Sequence, residues 1–94
     1  MSVWTHLNGK VRLSSDSKVN IKNVLSTLFS AEDAMIATEA IKQRNGDIEV
    51  IVMISVDVDA TEATLRITKA LERCKVTMDA RLKVDLRVSG RLIV

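Results

Sequence analysis

From Ile48 to Val58 a β-branched residue occupies every second position: Ile48, Val50, Val52, Ile54, Val56 and Val58. That is the alternation of a strand with one buried face, since β-branched side chains pack well on a pleated surface. The other side of the stretch from Asp47 to Asp59 carries Glu49, Ile51, Met53, Ser55, Asp57 and Asp59. A solvated face has no use for Ile and Met at its centre, so a partner is expected there.

The same alternation opens the chain. Val3, Thr5, Leu7, Gly9, Val11 and Leu13 predict the inner side of a long first strand, and Trp4, His6, Asn8, Lys10 and Arg12 its outer side. Gly9 within that run predicts a bulge or a close crossing of backbones. Ser14-Ser15-Asp16-Ser17 then supplies N-cap candidates, and Ile21, Val24, Leu25, Leu28 and Phe29 recur at the spacing of one helical face.

Residues 31–43 carry two competing signals. Ala31-Glu32-Asp33-Ala34 after Ser30 resembles a helix start, whereas Arg44-Asn45-Gly46-Asp47 is the signature of a two-residue hairpin turn, which requires a preceding strand. With Asn45-Gly46 as the turn, Arg44 faces Asp47, Lys42 faces Glu49 and Ile41 faces Val50, two opposite-charge pairs and one apolar pair. This coincidence favours a strand over about Met35–Arg44. In that register Glu39 points inward opposite Val52, and Ile36, Thr38 and Ala40 point outward.

Asp59-Ala60-Thr61-Glu62 is a capping box, and Ala63, Ile67, Ala70, Leu71 and Cys74 form the apolar stripe of a second helix, with Glu62 and Arg66 one turn apart. Leu82, Val84, Leu86 and Val88 then alternate with Arg81, Lys83, Asp85 and Arg87. Val88-Ser89-Gly90-Arg91 reads as a turn into a short extra strand, Leu92–Val94, the alternative being a bulge at Gly90 in one long strand. The order strand, helix, strand, strand, helix, strand predicts an α+β, ferredoxin-like βαββαβ sandwich, an antiparallel sheet with two helices on one face. By analogy with that fold, the first and third strands are central, the fourth lies beside the first, and the second lies outside the third.

Composition narrows the chemistry. Ninety-four residues make one domain, 1–94, whose core must come from Val, Ile, Leu, Ala and Met, because the chain has one Trp, one Phe and no Tyr. A net charge of +2 is too small to imply nucleic-acid or membrane binding by the whole surface. The single Cys74 forms no internal disulfide, and the opening has no charged segment leading into an apolar run, so a cytoplasmic protein is expected.

Catalysis has little support. His6 is the only histidine and has no nucleophile placed beside it, and Cys74 reads as a small buried hydrophobe. Asp57 and Asp59 share a strand side but lack the further oxygens of a hard-cation site. Walker, zinc and nucleophile-elbow motifs do not occur, so no catalytic residue, metal or cofactor is expected.

The outer sheet face therefore carries the functional expectation. Trp4, His6, Ile51 and Met53 are the candidate partner-binding residues, with Arg81, Lys83 and Arg87 as a charged rim, on a non-enzymatic module that binds protein or forms a homodimer. A second reading is weakly specific nucleic-acid binding by the basic strip, although Trp4 is the one aromatic there that can stack on a base. A small-ligand regulatory domain is a third.

The opening Trp4-Thr5-His6-Leu7-Asn8-Gly9-Lys10-Val11-Arg12 resembles the start of some small uncharacterised bacteriophage proteins, which begin with a Trp-x-His-x-Asn-Gly strand followed by an aliphatic residue and Arg. The match covers about a tenth of the chain. It implies a phage accessory or inhibitory protein acting in the host cytoplasm by occupying a surface of a host protein, and it transfers no catalytic or binding residue.

Overall fold

In the computed structural model, which describes residues 3–93, the elements run β1 (Val3–Leu13), α1 (Ile21–Leu28), β2 (Ala34–Lys42), β3 (Ile48–Val56), α2 (Ala60–Thr77) and β4 (Lys83–Ile93). The sheet order is β2-β3-β1-β4, and every neighbouring pair is antiparallel. This is an α+β arrangement of four antiparallel strands and two helices, consistent with the ferredoxin-like type.

Both helices cover the same face. Leu7, Val11, Val50, Val52, Ile54 and Val56 from the sheet share one core with Leu25 of α1 and Ala63, Ile67, Leu71 and Cys74 of α2. Leu25 and Leu71 are almost fully buried, each a contribution of about 1.5–3 kcal/mol. The N-cap of α2 is Asp59, whose carboxylate accepts from Glu62 N–H at 2.9 Å, and Glu62 pairs with Arg66 at 2.8 Å.

The cap of α1 differs from expectation. Asn20 accepts from Asn23 N–H at 3.0 Å, while the serine cluster forms a turn closed by Ser17 N–H to the Ser14 carbonyl. Ser14 itself is occupied elsewhere, since its N–H donates to Asp79 Oδ2 at 2.9 Å. Asp79 Oδ1 also accepts from Arg81 N–H at 2.9 Å. Burial raises the Asp79 carboxyl pKa, but the donors of Ser14, Arg81 and Ser17 outweigh it and hold the group below its ordinary value. The loop after β1 and the turn before β4 are thereby tied together.

Gly9 is a close crossing. A Cβ built there would lie 1.9 Å from the Asp85 carbonyl oxygen, on a backbone with φ +155°. The bulge is elsewhere: His6 pairs with Gly90 and Leu7 with Val88, leaving Ser89 as the extra residue. β4 therefore runs unbroken from Lys83 to Ile93, and no separate C-terminal strand occurs among the described residues. Val94, the end of the expected short strand, lies outside them.

The largest correction concerns β2. It spans Ala34–Lys42 as a strand, but Lys42 pairs with Ile48, Ile41 with Glu49, Ala40 with Val50 and Glu39 with Ile51. The turn is not the two-residue type. Gly46 N–H donates to the Gln43 carbonyl at 3.0 Å and Gln43 N–H to the Asp47 carbonyl at 2.7 Å, with Gly46 at φ +92°. This is a three-residue loop ending in a glycine bulge. The one-residue slip exchanges the faces of the strand: Ile36, Thr38 and Ala40 turn toward the helices, and Met35, Ala37, Glu39 and Ile41 turn outward. Glu39 consequently faces solvent, where its charge needs no buried partner.

Candidate partner-binding face

The register arranges the uncovered face in rows across β2, β3, β1 and β4. Ile41, Glu49, Arg12 and Lys83 form one end row, followed by Glu39, Ile51, Lys10 and Asp85, then Ala37, Met53, Asn8 and Arg87, then Met35, Ser55, His6 and Gly90. Trp4 lies one step beyond His6, in register with Leu92. The β2–β3 half is the more apolar one, interrupted by Glu39 and Glu49, with Met35 69% and Met53 58% exposed. The β1–β4 half is charged.

Around the two methionines the surface dips into a shallow concavity of about 410 Å³ that also reaches His6, Ser55 and Ser89. His6 Nδ1 and Ser55 Oγ share a hydrogen bond at 2.6 Å. Among the described residues no carboxylate hydrogen-bonds that imidazole, so the pair lacks the orienting group of a nucleophilic triad. The described residues also contain no group of three His, Cys, Asp or Glu placed to hold a metal ion, and no helix long and apolar enough to cross a membrane.

The charged half is extensively paired within the chain. Glu49 lies 3.2 Å from Arg12 and 3.5 Å from Lys10, and Asp85 lies 3.3 Å from Arg87. The hydrogen bond from Arg12 is the main cause of a Glu49 pKa below its usual value, with Lys10 assisting against desolvation. Four cations on the face, Lys10, Arg12, Lys83 and Arg87, thus share it with three anions, Glu39, Glu49 and Asp85.

The residues expected to form one site are only partly brought together. Met53 and His6 line the concavity, and Ile51 is one row away. Arg87 is in the row of Met53 but two strands across, and Lys83 is at the far end of the face. Trp4 is half-buried at the opposite end and does not line the concavity. Arg81 leaves the face altogether: it sits in the turn before β4, where Asp79 holds its N–H, and its guanidinium pairs with Asp16 at 3.5 Å.

Met35, Ala37 and Ile41 were missed as face residues because the assumed hairpin register turned them inward. The signal that finds them is Glu39, which an apolar interior does not accept unpaired. No family model and no curated protein matches this sequence. Among solved structures, the chain is similar to "De novo designed protein Foldit4", at 21% identity and a TM-score of 0.62, over 96% of this chain and 98% of that one. At that identity the likeness concerns the fold alone.

Proposed function

We propose that this chain is a ferredoxin-like protein-binding module that docks a protein partner on the open face of its sheet. Met35, Met53 and Ile51 form the apolar centre, and Lys10, Arg12, Lys83 and Arg87 form the border. The observation that carries this reading is the adjacency of Met35 and Met53, two large, strongly exposed apolar side chains on neighbouring strands. Flexible thioethers suit an irregular contact surface, and Met is enriched at interface centres.

Protein is favoured over nucleic acid by the charge arrangement. Phosphate binding draws on unpaired cations, whereas Glu49 engages two of the four basic groups here and Asp85 a third. A single tryptophan, set apart from the concavity, is a poor stacking platform. The resemblance of the opening strand to phage proteins adds a context in which occupying a host protein's surface is itself the activity.

The test is affinity capture from the native host with wild type and with Ile51→Lys/Met53→Asp, both checked by circular dichroism. The partner retained by wild type is expected to be lost from the double variant at unchanged secondary structure. Equal recovery of the same protein by both sinks the proposal. Retention abolished by nuclease points instead to nucleic acid.

A further inference from the structure

We propose that β2 pairs with β2 of a second copy of this chain, antiparallel about a two-fold axis, joining two sheets into one of eight strands. The inference stands on the strand edge and does not rest on the docking face.

β2 lies at the sheet edge, and its outward backbone groups can be assigned. Asp57 N–H donates to the Asp33 carbonyl at 2.8 Å and Gln43 N–H to the Asp47 carbonyl at 2.7 Å, so odd-numbered residues bond inward to β3. In an antiparallel ladder both groups of a residue point the same way. Ala34, Ile36, Thr38, Ala40 and Lys42 therefore present N–H and C=O to the outside.

The two edges of the sheet are built differently. β4 is guarded by the bulge at Ser89 and by Lys83, Asp85, Arg87 and Arg91, devices that discourage edge pairing. β2 is nine residues, Ala-Met-Ile-Ala-Thr-Glu-Ala-Ile-Lys, with unbroken register and without proline, glycine or bulge. A long, regular, apolar edge of this kind is a template for another strand.

Self-pairing selects a register. Outward groups meet only when even residues face even residues, and the two-fold must then lie at Ala37, Thr38, Glu39 or a neighbour further out. Centring on Glu39 sets like charges opposite one another. Centring on Ala37 sets Ile41 against Asp33 and Met35 against Glu39. Centring on Thr38 places Ile36 against Ala40 and Met35 against Ile41, with each residue named first on one copy and second on the other, and brings the turn before β2 that carries Glu32 alongside the other copy's turn after β2 that carries Arg44. Glu32 and Arg44 are exposed, and they stand beyond opposite ends of β2, so they meet only between copies. This register offers about ten main-chain hydrogen bonds, two for each of five even pairs.

Such pairing changes the docking face as well. The apolar half of one face, two strands wide and some eight residues long, measures roughly 10 by 25 Å, or about 250 Å² in projection. Stable interfaces take about 800 Å² per partner. Pairing through β2 sets the two apolar halves side by side at the centre of a single surface.

Sedimentation equilibrium from about 1 to 100 µM, the span of a weak dimer, tests this with the full chain. Wild type is expected to dimerise. Ala40→Pro removes an outward N–H that no strand of its own chain uses, and is expected to raise the dissociation constant at least tenfold with circular dichroism unchanged. Glu32→Arg is expected to weaken the dimer and Glu32→Arg/Arg44→Glu to restore it, a rescue available only between copies, which keeps the test decisive even if the proline variant does not fold. Ile51→Lys/Met53→Asp is expected to leave the dimer intact. A wild type monomeric throughout overturns the proposal. So does a dimer indifferent to Glu32 and to Ala40→Pro, or one broken by Ile51→Lys/Met53→Asp alone.

Discussion

Replacing Gly9 with Ala is expected to be the most damaging small substitution on the sheet. The added methyl meets only backbone, at 1.9 Å from the Asp85 oxygen, 2.8 Å from its carbonyl carbon and 2.9 Å from Leu86 Cα, so no side chain can move aside. Restoring contact distance takes about 1 Å of separation between β1 and β4, enough to break two or three ladder hydrogen bonds at about 1 kcal/mol each. Holding Ala at positive φ adds roughly 1–2 kcal/mol. The sum, about 3–5 kcal/mol, is a large share of the roughly 5–14 kcal/mol expected for a domain of this size. Two other glycines calibrate it. At Gly46 a Cβ would meet Ser15 at an ordinary 3.6 Å, so Gly46→Ala carries only the strain of φ +92°, about 1 kcal/mol, and at Gly90 nothing lies within 4 Å. Urea unfolding followed by far-ultraviolet circular dichroism reads all three. A Gly9→Ala protein within about 1 kcal/mol of wild type, or less affected than Gly46→Ala, refutes the steric account.

Asp79→Asn leaves one of two backbone N–H donors without its carboxylate, at an expected cost of about 2–3 kcal/mol in urea unfolding at neutral pH. Because the folded carboxyl titrates below its ordinary value, its stabilisation is complete above about pH 4 and fades as pH falls through the lowered value. The gap between wild type and Asp79→Asn is therefore expected to shrink on acidification, and a gap that widens contradicts the assignment. Asp59→Ala removes the cap of α2 and is expected to cost about 1 kcal/mol, with Asp59→Asn recovering most of it in thermal melts.

The readily legible parts of the fold were those in which local pattern and burial agree. The even residues of β3 from Val50 to Val56 are buried because β-branched alternation leaves one face to the core, and α2 follows from Asp59, Glu62 and a regular apolar stripe. Two failures have different physical origins. Arg81 continues the alternation of β4 on paper, but Asp79 holds its N–H and bends it into a turn. Val84 and Val88 point toward the helix side as their pattern requires, yet each stays 44% exposed. Periodicity reports which way a residue faces, not whether another element reaches it. On the outer face, Ile51 and Met53 were legible as outward-facing apolar residues, Met53 exposed and Ile51 half-buried, whereas the concavity depended on Met35, which only the register supplies.

That register depends on one charge, and Glu39→Val is expected to release it. The two-residue Asn45-Gly46 turn is the better local match for the hairpin, and adopting it would turn Met35, Ala37, Glu39 and Ile41 inward. Burying what remains exposed of Met35 and Ile41, 69% and 39%, would gain at most about 1–2 and 0.5–1 kcal/mol, against the loss of Ile36 from the inner face. An unpaired carboxylate opposite the buried Val52 costs several kcal/mol and outweighs that gain. Valine at position 39 converts the cost into a further burial, so the slipped register becomes populated. Hα–Hα contacts seen by NMR read the difference, because close Cα pairs in an antiparallel ladder are the non-hydrogen-bonded ones. Wild type is expected to show Thr38 against Val52 and Ala40 against Val50, and Glu39→Val to add residue 39 against Val52. Glu39→Gln, still polar, is expected to keep the wild-type set. If Glu39→Val shows that set alone, loop geometry and not the buried-charge penalty fixes β2. If it slips, Met35 leaves the outer face, and partner capture is expected to weaken without any change to Met53 itself.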